Sequence, residues 1–403
     1  MDRIAKIFQD LQDSILSILK NPANPVQRSY LLWLCVRILS VPIALYAFFS
    51  QPDVVGLTSW RRVLAPWYAW DAYYYVAIVR DGYKPGNPTA NFHPLYPAIS
   101  ALVSVVFREE LLSLLLVASI AGLFLTVVFY RLARLDLDDV QSWQATALLL
   151  VSPFSLALFV PYTESLFLLL SVYCLLAARQ GRFGLAAVAG CLAVLTRQQG
   201  LFLILPIAWE VWESADRNWS KALRNWSGWL AIALVPLAYL AWIFFRAFAI
   251  NDVSPDFSSA QKFVYSVMIS PTTYTILDQQ QFLPPWTAVW KTLQLLSEGR
   301  VHWGAYVDTM LGLVFISMFV LAWRSMRMSY RIYSLTIVLV SLSFYTGTIN
   351  PYISLPRHLL LAFPVFIGFA SRYKLRFFPL LIAVLVAIEM TLLWWFVRQS
   401  WVL

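Results

Sequence analysis

The stretch Asn91-Phe92-His93-Pro94-Leu95-Tyr96-Pro97-Ala98-Ile99-Ser100-Ala101-Leu102-Val103-Ser104-Val105-Val106-Phe107 decides how the chain is threaded. Its apolar part, 94–107, is short: a helix needs about 20 apolar residues to cross the hydrocarbon of a bilayer. The runs on either side, 31–50 and 111–130, are long enough. We therefore read 94–107 as an interfacial or re-entrant helix and the two flanking runs as spans. Further apolar runs follow at 143–160, 165–178, 228–250, 310–323, 332–348 and 377–397.

Composition agrees with a membrane chain. Of 403 residues, 60% are hydrophobic and 13% charged, against about 25% charged in soluble domains, and the mean hydropathy is +0.67. The apolar runs are continuous rather than alternating, which predicts helices and not a β-barrel. The formal net charge of +9 is assigned to cytoplasmic loops, where Lys and Arg collect, and not to nucleic-acid binding. Cys35, Cys174 and Cys191 lie within apolar runs, so no disulfide framework is expected.

Loop charge sets the orientation. Basic clusters stand at Arg3/Lys6/Lys20/Arg28, Arg131/Arg134, Arg179/Arg182, Arg217/Lys221/Arg224, Arg324/Arg327/Arg331 and Arg372/Lys374/Arg376. If all are cytoplasmic, an even number of crossings separates each pair. The demotion of 94–107 satisfies this for the first interval. The run 142–178 then holds two spans hinged at Pro161, and 184–212 two short ones hinged at Arg197-Gln198-Gln199-Gly200. Single spans follow at 228–250, 308–323, 332–348, 358–371 and 377–397. The expectation is a single all-α polytopic membrane domain over 1–403 with about eleven transmembrane helices. It has an amphipathic cytoplasmic segment over 1–30, a first outer loop over 51–110 with interfacial helices, and a long outer loop over 251–307. The sequons at Asn218 and Asn225 fall on the cytoplasmic side.

This threading gathers Asp71, Glu164, Arg197, Arg357 and His358 on the non-cytoplasmic face. Asp71 sits in Trp67-Tyr68-Ala69-Trp70-Asp71-Ala72-Tyr73-Tyr74-Tyr75. The aromatics suit headgroup-level anchoring, but a carboxylate among them at the membrane edge needs a reason. It serves either as a base or as the partner of Arg80 or Arg61. Glu164 is read as a helix N-terminal carboxylate complementing the macrodipole or as a second acid facing the same cleft. Arg197 interrupts an apolar stretch, which is costly unless it meets an anion, whether Glu164, Asp71 or a phosphate. Arg357 and His358 end another span and suit an anionic leaving group. No Walker loop, dinucleotide fingerprint, Cys/His metal spacing or nucleophile elbow occurs.

Four blocks carry a family resemblance. They are Trp70-Asp71-Ala72-Tyr73-Tyr74-Tyr75 continuing through Arg80-Asp81-Gly82-Tyr83 to Phe92-His93-Pro94-Leu95-Tyr96-Pro97; Ser152-Pro153-Phe154 through Tyr162-Thr163-Glu164-Ser165-Leu166-Phe167; Thr196-Arg197-Gln198-Gln199-Gly200; and Leu355-Pro356-Arg357-His358-Leu359-Leu360-Leu361-Ala362-Phe363-Pro364. In this order they resemble PIG-V-type mannosyltransferases of the GT-C superfamily. The sequence departs from that pattern at Ala69, commonly Arg, at His93, commonly Phe, and at Gln198-Gln199, usually a Ser/Pro-Asn pair.

The resemblance implies a GT-C-like bundle and an inverting sugar transfer. The sugar moves from a polyprenyl-phosphate donor to a lipid, glycan or protein acceptor outside the cytoplasm. That face is outside a bacterial plasma membrane, or in the endoplasmic reticulum of a eukaryote. Asp71 takes the position of the family's catalytic acid and is assigned as general base. Arg197, Arg357 and His358 are assigned to the donor phosphate, and Glu164, Trp70, Tyr74, Asp81 and His93 to substrate. No cofactor is required, and a divalent ion is allowed but not demanded. The rival class is a transporter or flippase for a lipid-linked or anionic solute, which would use the same charged residues as a binding site.

Overall fold

The computed structural model describes residues 25–400 apart from 55, 57, 58, 86, 87, 251–254, 265, 267–280 and 374–376. The amphipathic segment read over 1–30 thus lies almost wholly outside the described residues, as does part of the 251–307 loop. Among the described residues the chain is helical, with one two-stranded antiparallel ladder, β1 (Gln281–Phe282) on β2 (Phe344–Tyr345).

Five helices are individually long and apolar enough to span a membrane. They are α1 (Pro25–Phe49), α4 (Glu110–Ala133), α9 (Trp226–Phe245, continued by a π-helical turn to Ile250), α11 (Trp303–Ala322) and α15 (Phe378–Val397). Their outer faces leave large apolar side chains uncovered, such as Ile38 on α1, Leu237 on α9, Met310 on α11 and Leu380 on α15. Such surface is a liability in water and is satisfied by lipid. The chain is an integral membrane protein.

The first outer loop holds a 3-10 helix (Trp60–Trp67), α2 (Asp71–Asp81) and α3 (Leu95–Phe107). α3 is the stretch demoted above. It has 13 residues, packs on α2 and α4, and buries Tyr96, Pro97 and Ser100 while Leu102, Val105 and Val106 stay uncovered. Thirteen residues rise about 20 Å, short of the roughly 30 Å hydrocarbon core.

Among the shorter helices are α5 (Asp139–Val151), α6 (Glu164–Arg179), α7 (Phe183–Thr196), α8 (Ile204–Ser214), α12 (Met328–Ser343), α13 (Leu355–Leu360) and α14 (Pro364–Arg372). α6 sits against α4 and α7, and α7 against α9. Most of α6 is buried. A 16-residue helix such as α6 or α12 rises about 24 Å. The missing turns are supplied by short 3-10 helices, the β2 residues and irregular chain over 152–163, 197–203 and 344–354. Non-helical backbone at membrane depth is tolerated where protein buries it or it lines a cavity.

Several boundaries differ from the sequence reading. The 358–371 span begins at Leu355 and breaks at Leu361–Phe363 ahead of Pro364, which lacks the N–H a continuous helix needs. The 332–348 run stops being helical after Ser343, where β2 pairs with β1. The 251–307 loop contains a helix, α10 (Pro285–Ser297), and α11 starts at Trp303 rather than 308. At the 197–200 hinge, a Cβ on Gly200 would stand 2.5 Å from Val194 N and 2.7 Å from Ala193 C. The chain can fold back this tightly on α7 only with glycine there.

Candidate active site

A cavity of about 500 Å³ opens where those interrupted helices end. α2, α6, the end of α7 and α13 each bring one charged group towards it. Asp71 is the first residue of α2 and Glu164 the first of α6, so both carboxylates sit where a helix dipole favours negative charge. Arg197 caps the C-terminus of α7 in extended conformation, and Arg357 lies in α13.

These four form one network. Arg357 Nη1 donates to Asp71 Oδ2 at 2.6 Å. Its Nε lies 3.3 Å from Glu164 Oε1, an ion-pair contact outside hydrogen-bond geometry. Arg197 Nη1 donates to Thr163 Oγ1 at 2.9 Å and to Glu164 Oε1. The Arg357 guanidinium stands 5.0 Å from the centre of the Tyr162 ring. Glu164 has no exposed side-chain surface, whereas Asp71 keeps 28% of its own.

That difference separates their roles. Glu164 is not among the cavity-lining residues, and it holds two guanidiniums from behind them. Asp71 lines the cavity, with one oxygen accepting from Arg357 and no other hydrogen bond to its carboxylate among the described residues. Its pairing with Arg80 or Arg61 does not occur. Two carboxylates and two guanidiniums balance within the network, so Arg197 and Arg357 are already matched by protein anions before any phosphate arrives.

Backbone strain marks the same place. Trp70, just before Asp71, has φ 55°, and Ser354, which precedes the turn bearing Arg357, has φ 61°. Positive φ is costly for residues with a side chain and tends to persist at functional sites. Both residues line the cavity.

The rest of the wall is aromatic and polar. Tyr74 stacks on Phe92 with ring centres 5.1 Å apart. His93 lies 6.2 Å from Tyr239 and 5.8 Å from Trp242. His93 Nδ1 is 2.6 Å from the Val194 carbonyl, a contact that requires the proton on Nδ1 and leaves Nε2 as an acceptor. Burial pushes its pKa down to about 3, so the ring is neutral. His358 lines the cavity beside Phe344.

Asp81 stands apart. It pairs with Arg80 at 3.2 Å and Lys84 at 3.7 Å at the C-terminal end of α2 and is not among the lining residues. The Arg80 hydrogen bond holds its carboxyl below the usual range. Asp81, expected at the substrate, sits in an exposed ion pair outside the lining, because α2 carries it two helical turns and more beyond Asp71.

Among the lining residues that the sequence reading did not assign, one is charged. Arg246, in the π-helical turn after α9, is 4% exposed and lines the cavity. Its signal was present, since a lone arginine interrupts the apolar run 228–250 just as Arg197 interrupts its own. Among the described residues no three His, Cys, Asp or Glu side chains gather to hold a metal ion.

No family model matches the sequence, and no curated protein matches it. Among solved structures, the chain is similar to the oligosaccharyltransferase of Archaeoglobus fulgidus in its apo form. The identity is 15% and the TM-score 0.45, over 91% of this chain and 56% of that one. It is also similar to ArnT from Cupriavidus metallidurans bound to undecaprenyl phosphate, at 16% identity and TM-score 0.49, over 85% of this chain and 60% of that one. The chain therefore spans little more than half the length of either structure.

Proposed function

We propose that the chain is an inverting glycosyltransferase of GT-C type. It moves a sugar, mannose on the PIG-V-type resemblance, from a polyprenyl-phosphate donor to a hydroxyl-bearing lipid, glycan or protein acceptor on the non-cytoplasmic face. The observation that carries this reading is the Asp71 carboxylate: one oxygen fixed by Arg357, the other open to an aromatic-walled cavity at the end of a membrane bundle.

Transfer with inversion needs a base on the attack line. The acceptor hydroxyl attacks the anomeric carbon while Asp71 takes its proton. The bond from that carbon to the phosphate oxygen breaks, and polyprenyl phosphate leaves with the electron pair. A positioned base contributes typically about 10²–10⁴-fold. The Arg357 contact aims the Asp71 carboxylate. Leaving-group charge falls to donors fixed in a water-poor site, where they act most strongly. Arg246 brings a third guanidinium to the wall, beside Arg197, Arg357 and His358. The aromatic faces of Tyr74, Tyr239 and Trp242 suit the apolar face of a pyranose, with His93 Nε2 available to a sugar hydroxyl.

The test is transfer by purified protein given polyprenyl-phosphate mannose or glucose and a membrane lipid extract, with products read by mass spectrometry. Asp71→Asn should lower transfer by at least about 10²-fold while donor binding stays near wild type. Full activity in that variant removes Asp71 from the mechanism. No transfer from any donor, with solute flux in liposomes, replaces the reading with a transporter.

A further inference from the structure

On the other side of α2 from the candidate active site lies a second cavity, of about 410 Å³. α2 turns Tyr74 and Tyr75 to the first cavity and Val76 and Arg80 to the second. The two walls touch through Tyr68 and Tyr73, whose rings meet edge to face at 4.5 Å.

Its floor is apolar and its rim is basic. Phe48 comes from the last turn of α1, Leu111 from the first turn of α4, and Leu64 from the 3-10 helix between them. α1 and α4 are two of the long apolar helices, so the floor lies where hydrocarbon gives way to headgroups. Arg61, Arg62 and Arg80 stand around it. Arg61 is exposed, its guanidinium 5.8 Å from the ring of Trp60, and Trp60 is itself 58% uncovered, as suits an interfacial anchor. Arg80 is shared with Asp81 at the surface. Glu109 is the one acid in the lining, and it is engaged in capping α4 through the Leu112 N–H at 2.5 Å.

Loop charge adds a second, independent pointer. Loops on the non-cytoplasmic side are depleted of Lys and Arg, yet the adjacent pair Arg61-Arg62 sits in the segment assigned to that side. Guanidiniums placed against that bias, over an apolar floor at the end of two spans, match an anion carried on an apolar chain.

We propose that this second cavity binds the phosphate-bearing headgroup of an anionic membrane phospholipid. The Arg61 and Arg80 guanidiniums face the phosphate, and Phe48, Leu64 and Leu111 face the glycerol and first acyl carbons. The site is separate from the transfer chemistry and does not depend on it.

The experiment is native mass spectrometry of the full chain, released from bilayers of mixed phosphatidylglycerol and phosphatidylcholine. Wild type should retain phosphatidylglycerol selectively. The double variant Arg61→Gln/Arg80→Gln should retain it more weakly, by roughly five-fold for each charge removed near the surface. Arg61→Lys/Arg80→Lys, which keeps the charges, should retain most of it. Equal retention by wild type and the Gln variant overturns the proposal, as does loss in the Lys variant as complete as in the Gln variant. Displacement of the lipid by millimolar inorganic phosphate alone would overturn the lipid assignment in favour of a free-anion site.

Discussion

At the residue scale, one buried carboxylate organises the candidate site. Glu164 Oε1 faces both Arg197 and Arg357, and its Oε2 has no hydrogen-bond partner among the described residues. Removing one member of a buried charge network leaves the others uncompensated, at a cost of about 3–5 kcal/mol. Glu164→Gln should therefore lower the thermal midpoint markedly in detergent and lower transfer with it. An unchanged midpoint would show that the arginines do not depend on it. His93 supplies a pH test. Its folded pKa is about 3 against about 6.5 unfolded, so between those values the unfolded chain binds the extra proton. Stability from this residue is complete above about pH 6.5 and falls as pH drops towards 3. In His93→Phe, which restores the residue common in the resembling family, the fall in midpoint between pH 6.5 and 4 should be shallower than in wild type. Parallel curves would assign the acid sensitivity to other groups.

At the element scale, the site depends on helices that stop short. The segment between α5 and α6 is irregular over 159–163, and it delivers Thr163 and Glu164. Arg37, midway along α1, holds it: its guanidinium donates to the Phe159 carbonyl and, at 2.8 Å, to Ser119 Oγ of α4. A carbonyl freed from helical bonding at membrane depth needs such a donor. Arg37→Met should slow transfer about 10- to 100-fold, the scale of a small misplacement of catalytic groups, with donor affinity and midpoint changed far less. Arg37→Lys should recover part of the rate. Loss of folded protein in step with activity would reduce Arg37 to a scaffold role.

These elements also show what the sequence could reveal. The shortness of 94–107 and the spacing of basic loops placed Asp71, Glu164, Arg197 and Arg357 on one face, and the structure brings those four into contact. Length and charge are sums over many residues and survive local error. The direction of a side chain does not. Asp81 and Asp71 lie on one short helix, yet Asp81 turns to Arg80 and Lys84. The positive φ of Trp70 and Ser354 has no glycine or asparagine to announce it. Both depend on tertiary packing that no local pattern encodes.

At the scale of the whole molecule, the Asp71–Glu164–Arg197–Arg357 network sits at one end of the bundle, and Glu389 stands apart from it. It lies inside α15, which packs on α1 and α5, has no exposed surface, and neither carboxyl oxygen has a hydrogen-bond partner among the described residues. An acid in a span is by default a functional candidate. Glu389 lines neither cavity, however, and makes no ion pair among the described residues. Without a partner it is a cost to the fold: an unsatisfied buried polar group destabilises by about 1–3 kcal/mol. Glu389→Met fills similar volume with no polar atom, so it should raise the midpoint by an amount equivalent to about 1–3 kcal/mol and leave transfer unchanged. Glu389→Gln keeps a polar group in the same setting and should gain little. The pair of variants separates the two readings of the residue. A stabilised, fully active Met variant makes Glu389 a tolerated defect in the packing of α15 on α1 and α5. A Met variant that loses transfer while remaining folded would mean that the last span is coupled to the cavity at its outer end.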